Sequence, residues 1–239
     1  MSDSQKNTAT MPQCAKCDVP PKERFCTSEK GRGPANCPTL RHRKLARTLL
    51  EETSPEEKAF MCSSAIQESC GYFDRDKGYA QLGPEKPRIV EIVEFAKRVG
   101  YKKLGLIFCG GTMKEARIVH EILETNNFEV VSVMCKAGKI AKCEYGVAQK
   151  DHVNIFLEKE SICNPKFQAT VVNEANVDLT VLLGLCVGHD SVAIKYVQSP
   201  VTVLAVKDRV TGHSPLAPIY LYDGYYRYLK FPLPLDGEE

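Results

Sequence analysis

Three apolar runs stand out along the chain, each about the length of a strand and each ending in a cysteine or a glycine turn. Leu104-Gly105-Leu106-Ile107-Phe108-Cys109, Phe128-Glu129-Val130-Val131-Ser132-Val133-Met134-Cys135 and Val177-Asp178-Leu179-Thr180-Val181-Leu182-Leu183 read as buried strands. A fourth run, Val201-Thr202-Val203-Leu204-Ala205-Val206, stops at Lys207-Asp208-Arg209. Helical periods lie between them. Lys86–Val99 carries Ile89, Ile92, Val93 and Ala96 on one face, with Gly100 as C-cap. A capping box at Thr112-Met113-Lys114-Glu115 opens a helix to about Asn126, and Asn164-Pro165 opens another to about Ala175. Asp190 is placed to cap a short helix over Ser191–Val197. Strands alternating with helices predict an α/β fold, with a parallel sheet of about four or more strands in a Rossmann-like or flavodoxin-like arrangement.

That topology turns scattered cysteines into a pattern. The C-terminal ends of parallel strands share one sheet edge, so Cys109, Cys135 and Cys186 should face one crevice, with Cys163 at a helix start beside it. If the strand order is 2-1-3-4, Cys109 and Cys186 flank the point where the order reverses, where ligands bind in open α/β sheets. The Gly184-Leu185-Cys186-Val187-Gly188-His189-Asp190-Ser191 stretch places a thiol, an imidazole and a carboxylate at one strand-to-helix turn. His189 and His213 are further ligand or second-layer candidates. The amides of Gly110, Gly111 and Thr112, together with Gly188, Asp190, Lys207 and Arg209, are candidates to hold a cofactor or anion.

The first hundred residues read differently. Residues 1–13 are expected to be a disordered tail. Over residues 14–40 the spacing C-x2-C-x8-C-x10-C places Cys14, Cys17, Cys26 and Cys37 in a segment rich in Pro, Gly, Lys and Arg, with no periodic apolar pattern. Such a segment cannot bury enough surface to fold unaided, and four thiolates on one Zn²⁺ would supply the folding energy. An iron–sulfur cluster could use the same ligands. Residues 41–100 read as a helical linker region and 101–239 as the α/β domain. The linker holds a basic helix over Leu40–Thr53 with Leu45, Leu49 and Leu50 on its apolar stripe, and a capped helix from Ser54-Pro55-Glu56-Glu57 to about Ser69. Cys62, Cys70 and Cys143 have no assigned role.

Composition narrows the function classes. With 43% hydrophobic and 26% charged residues the chain is of globular type, and a net charge of +2 offers no bulk field for nucleic acid. The polar start has no apolar segment of a secretory signal, no run reaches the length of a membrane span, and the eleven cysteines form an odd set without an export signal. Those features point to a cytoplasmic protein with metal or thiol chemistry rather than a disulfide scaffold.

Phe108-Cys109, Ser132–Gly138, Cys163-Asn164-Pro165, Gly184–Ser191 and Val206–Pro215 together resemble an uncharacterised prokaryotic family described as metal-binding proteins with a domain of unknown function. The family also has an N-terminal cysteine cluster ending in Cys-Pro, as at Cys37-Pro38, although its third cysteine follows sooner than Cys26 does here. The resemblance implies metal binding and no particular reaction.

Two function classes follow. The first is a metalloprotein with structural zinc at the N-terminus and a second zinc or an iron–sulfur cluster held by Cys109, Cys135, Cys163 and Cys186, serving redox chemistry, sulfur transfer or small-molecule activation. The second is a metal-free thiol enzyme with Cys109 or Cys186 as nucleophile. An all-zinc structural or partner-binding role is a third. A small molecule or a redox protein is the expected partner, and the sequence leaves the oligomeric state open.

Overall fold

The computed structural model describes residues 11–233. The tail expected over residues 1–13 therefore lies almost wholly outside the described residues. The chain divides into two compact units, residues 1–62 and 63–239.

The second unit is built on a four-stranded parallel sheet. Its strands are β1 (Lys103–Phe108), β2 (Glu129–Met134), β3 (Leu179–Leu185) and β4 (Val201–Val206), and their spatial order is β2-β1-β3-β4. The order reverses between β1 and β3, as the 2-1-3-4 expectation required. The helices, in chain order, are α1 (Arg43–Glu52), α2 (Pro55–Cys70), α3 (Arg88–Val99), α4 (Met113–Thr125), α5 (Pro165–Glu174) and α6 (His189–Tyr196). Side chains alternate across each strand, so β1 sends Leu104, Leu106 and Phe108 to one face and Ile107 to the other. The first face packs with α3 and α4 through Ile92, Val93, Ala96, Ala116, Val119 and Leu123. The second packs with α5 and α6 through Val172 and Ala193. Both faces are thus covered, as an all-parallel sheet requires.

Two joints hold the amino ends of the strands. Asp178 Oδ2 accepts hydrogen bonds from the backbone N–H groups of Lys102 (2.7 Å) and Lys103 (2.9 Å), aligning the starts of β1 and β3. Arg88, at the start of α3, donates to Val203 O at 2.6 Å and to Thr202 Oγ1 at 3.1 Å. That contact occupies backbone of the edge strand β4, which would otherwise be open to another chain.

β3 breaks its alternation near its end. Leu183 pairs with Ala205, and Leu185 pairs with Val206, so two steps on β3 match one on β4. Gly184 lies between, at φ +64°. This bulge moves Leu185 onto the same face as Leu182, where both are buried, and re-aims the chain at Cys186.

Helix starts differ in detail from the sequence expectation. Ser54 and Glu57 form the expected reciprocal capping box, with Ser54 N–H to Glu57 Oε2 at 2.8 Å and Glu57 N–H to Ser54 Oγ at 3.1 Å. Thr112 does not cap α4; its hydroxyl donates to Cys109 O at 2.9 Å because the chain makes a 3₁₀ turn over Gly110–Thr112 before the helix begins. α6 starts at His189 with Gly188 as its N-cap, φ +87°, and Asp190 sits inside the first turn, accepting from Ser191 N–H at 2.7 Å. Asn164 does cap α5, its Oδ1 accepting from Phe167 N–H at 3.0 Å. Asn164→Ala should therefore cost about 1 kcal/mol of stability, read as a lower urea midpoint with an unchanged slope.

The basic helix of the first unit is split into Pro38–Arg41 and α1, and Leu45, Leu49 and Leu50 are exposed on it. Among the described residues, no helix is long and apolar enough to cross a membrane.

Candidate thiolate centre at the sheet edge

β1 and β2 end one residue short of Cys109 and Cys135, yet their hydrogen-bond ladder continues through them. Cys109 N–H donates to Leu183 O at 3.1 Å and Cys135 N–H to Phe108 O at 2.9 Å. Asn164 N–H donates to Cys135 O at 2.7 Å, which brings the start of α5 against the end of β2. Cys135 and Cys163 thus bracket the segment 136–162, and their sulfurs are 3.5 Å apart. The Cys109 thiol lies near enough to Cys135 to influence its ionisation. Three thiols from three separate turns thus neighbour one another at the switch point of the sheet, with Cys135 and Cys163 in direct contact. Cys135, only 2% exposed, is the middle one.

Gln168 supports this group from below. It is fully buried on α5, and its Nε2 donates to Phe108 O at 3.1 Å and Val133 O at 2.6 Å, the carbonyls at the ends of β1 and β2. Its Oε1 is buried with no hydrogen-bond partner. Sequence reasoning passed over Gln168. The available signal was a polar residue on the buried stripe of α5, beside Pro165, Ala169 and Val172.

The turn after β1 is occupied by the thiols rather than held open for an anion. Gly110 N–H donates to Cys135 Sγ at 3.3 Å, Gly111 N–H hydrogen-bonds the Cys109 sulfur, and Thr112 N–H donates to Cys109 O at 2.9 Å. All three amides expected to receive a cofactor or anion are thereby engaged. The bonds from Gly110 and Gly111 favour negative charge on sulfur.

The three thiols do not ionise alike. The hydrogen bond to Cys135, and then burial, push the Cys109 thiol well above the usual range, against the pull of Gly111 N–H and Lys207. The bond with Cys109 lowers Cys135, but its bond to Cys163 and its burial outweigh this and raise it. The same Cys135–Cys163 bond brings Cys163 down to about 7, with Lys136 helping. Of the three, Cys163 is the thiol that ionises most readily, and a second or third thiolate beside it needs a cation to balance the charge.

Cys186 stands to one side. It is half-buried, and Arg209 Nη2 donates to its sulfur at 3.1 Å. His189 follows it on the first turn of α6, its N–H donating to Cys186 O at 3.0 Å. Burial favours the neutral imidazole of His189. His213 serves its own loop: its Nδ1 accepts Asp208 N–H at 3.1 Å and its N–H returns to Asp208 O at 2.8 Å. Asp208 Oδ1 also accepts from Val210 and Thr211 N–H, each at 3.0 Å. The segment bracketed by Cys135 and Cys163 is anchored by Glu160, which pairs with Lys136 (3.5 Å) and Lys142 (3.3 Å). Burial pushes the Glu160 carboxyl up, but Asn154 N–H and these lysines hold it below the usual carboxylate range. Cys143 is exposed within that segment, Cys62 is exposed on α2, and Cys70 at its end accepts from Arg98 Nη2 at 3.4 Å.

In the first unit, Cys14, Cys17, Cys26 and Cys37 all line one cavity of about 90 Å³. A 3₁₀ turn closes the C-x2-C pair, with Cys17 N–H to Cys14 O at 3.1 Å. Cys37 Sγ lies 3.1 Å from where a β-carbon on Gly33 would stand. The Cys37 thiol is held below the usual range by the Leu40 N–H of the short helix it precedes. Val19 is the one buried apolar residue between residues 11 and 62.

The donor sets at both places suit a thiophilic ion. Among the described residues, though, no three His, Cys, Asp or Glu side chains are arranged to hold an ion as they stand.

A family model described as "Protein of unknown function (DUF1847)" matches residues 37–204, which include Cys37 and all four crevice cysteines. "Uncharacterized protein MJ0455" of Methanocaldococcus jannaschii is 44% identical over 136 residues, covering 57% of this chain and 68% of that protein. No solved structure matches.

Proposed function

From the premise that this chain belongs to the DUF1847 family of unknown function, we propose that it is a metal-binding protein with two thiolate centres, one structural and one functional. The functional centre is Cys109, Cys135 and Cys163 at the carboxyl edge of the sheet, with Cys186 bordering its open side. The observation that carries this reading is the contact of Cys135 and Cys163 at the topological switch point, their sulfurs only 3.5 Å apart. Four sulfurs set tetrahedrally about 2.3 Å from one Zn²⁺ are about 3.8 Å from one another. The observed separation thus suits two ligands of a single metal atom. Cys109 as a third thiolate would leave a fourth position for substrate, the arrangement of a reactive rather than a purely structural site. The metal would be zinc or the iron of an iron–sulfur cluster. Its chemistry there would be redox, sulfur transfer or small-molecule activation, with a small molecule or redox protein as partner.

Cys14, Cys17, Cys26 and Cys37 form the structural zinc site on this reading. Its support is the shared cavity and the near absence of buried apolar side chains around it. All eleven cysteines are free thiols, which supports the reading of a protein that works in a reducing compartment such as the cytoplasm.

The test is anaerobic purification followed by zinc, iron and sulfide counts and an absorption spectrum. Two occupied metal centres per chain are expected. Broad absorbance near ~400 nm with matching iron and sulfide identifies a cluster, while colourless protein with two zincs identifies zinc at both sites. A single zinc, lost on deleting the N-terminal segment, overturns the crevice centre.

A metal-free thiol enzyme is the second reading, and the ionisation of the thiols favours it specifically through Cys163. That residue, rather than Cys109, carries the thiolate near pH 7.

A further inference from the structure

The two sides of the crevice differ in how their cations are paired. On the side of the bracketed segment, Lys136 and Lys142 share the buried Glu160 as ion-pair partner. On the side of β4, Lys207 and Arg209 make no ion pair among the described residues. Both are carried there by the sheet: Lys207 N–H donates to Leu185 O at 2.9 Å, extending the β3–β4 ladder, and Arg209 follows two residues later.

Lys207 is directed inward. Its Nζ lies 3.1 Å from where a β-carbon on Gly111 would stand, and Cys109 Sγ lies 3.8 Å from the same point. Gly111 does not have a left-handed backbone, so its missing side chain provides space rather than conformational freedom. That space admits the ammonium to the sulfur. Arg209 closes the other end of this side through its contact with Cys186. The mouth is open, since Val187, next to Cys186, is 92% exposed. One of these cations thus stands on the Gly111 side by Cys109 and the other on Cys186, and Asp208 between them in the sequence is engaged with its own loop rather than ion-paired to either. An anion entering between them would supply the missing charge, and a guanidinium fork suits the two oxygens of an oxyanion.

We propose that Lys207 and Arg209 form an anion subsite that binds the oxyanion end of a small ligand and holds the ligand against Cys186. The ligand class is a small molecule bearing a carboxylate, a phosphate or a sulfur oxyanion. The proposal rests on the reading of this crevice as the functional centre, and it deepens that reading by naming what approaches the thiols. Its geometry needs no metal, and it requires the Cys186 sulfur to be reachable.

The subsite can be tested by charge-selective alkylation of the full chain. Iodoacetate is anionic and iodoacetamide is neutral, and both alkylate the same thiol. Modification of each cysteine is followed by mass spectrometry, with exposed Cys143 as the internal reference. The iodoacetate-to-iodoacetamide rate ratio should be about tenfold higher at Cys186 than at Cys143. It should fall to the Cys143 value in the Lys207→Gln, Arg209→Gln double variant, and Arg209→Lys should retain part of it. Acetate, inorganic phosphate and sulfate, added one at a time, should slow Cys186 and not Cys143, and their ranking distinguishes the three oxyanion chemistries. Equal ratios at the two cysteines overturn the proposal. So does a preference that survives the double variant, the absence of protection by all three anions, or a Cys186 that resists both reagents. Metal counts on the same samples keep the two readings apart. Loss of the charge preference with metal retained rejects the subsite alone, and absence of crevice metal with the preference intact rejects the metal reading alone.

Discussion

Cys135→Ser should remove one metal equivalent per chain, with the loss confined to the crevice. Cys135 is the thiol that neighbours both others, so on the proposed reading its loss removes the central ligand. The hydroxyl is a poor ligand for a thiophilic metal but can still accept the Gly110 N–H bond that Cys135 Sγ now accepts at 3.3 Å. The fold should therefore survive. Losing a support residue outside the ligand set commonly costs 10–100-fold in metal affinity, so loss of the central ligand should exceed about 100-fold. Chelator competition followed by elemental analysis measures this, and the N-terminal equivalent on Cys14, Cys17, Cys26 and Cys37 should be unchanged. An unaltered metal count in Cys135→Ser protein would refute the crevice centre. Simultaneous loss of both equivalents would mean that all these cysteines serve one site.

The largest stability effect is expected at the bulge of β3. Gly184 has φ +64°, and a β-carbon added there would lie 2.6 Å from Thr112 Cγ2 and 2.9 Å from Thr112 Oγ1. Thr112 cannot retreat, because it is buried and its hydroxyl is bonded to Cys109 O. Gly184→Ala thus combines a left-handed backbone penalty of about 1 kcal/mol with overpacking of about 2 kcal/mol, for a total near 3 kcal/mol. Gly146→Ala is the control. Its φ of +80° and ψ of 12° are left-handed, but nothing lies within 4 Å of the added carbon, so only the backbone penalty of about 1 kcal/mol applies. Urea unfolding of the two variants separates the terms. If Gly184→Ala costs no more than Gly146→Ala, Thr112 does not constrain the bulge.

The parts of this protein that were legible in the sequence are those written in local periodicity. Alternation along β1 and β2, a short apolar run at β3, and caps such as Ser54 and Asn164 are properties of neighbouring residues. Together they yield the parallel sheet and the placement of Cys109, Cys135 and Cys163 on one edge, while the strand order, set by long-range pairing, is open in the sequence and is shown by the structure as β2-β1-β3-β4. Some missed features depend on contacts between distant segments, and others on backbone geometry at a turn that composition does not specify. Gly184 reads as an ordinary turn glycine until Thr112 is known to press against it. Thr112 reads as a cap until Cys109 O, three residues earlier, takes its hydroxyl. The amides of Gly110 and Gly111 look available for a ligand until the cysteine sulfurs occupy them. Asp190 looked like the cap of α6 because it precedes the apolar residues, whereas the positive φ of Gly188 lets the helix begin earlier.

The contrast between the two cysteine groups also bears on how the protein acquires metal during its synthesis. Parallel pairing joins segments far apart in the chain, and such long-range closure is slow. Cys109, Cys135 and Cys163 come together only after β1, β2 and the start of α5 have docked, so on the proposed reading the ion enters an already finished pocket. The segment around Val19 has almost no apolar interior, and there the ion would arrive first and the chain would fold around it. The same chelator should then have two distinct consequences. It would empty the sheet edge of a protein that keeps its shape, and it would unravel the segment between Cys14 and Cys37. Over its lifetime in a cell, the chain could exchange the first ion freely, while release of the second would expose that segment to proteases.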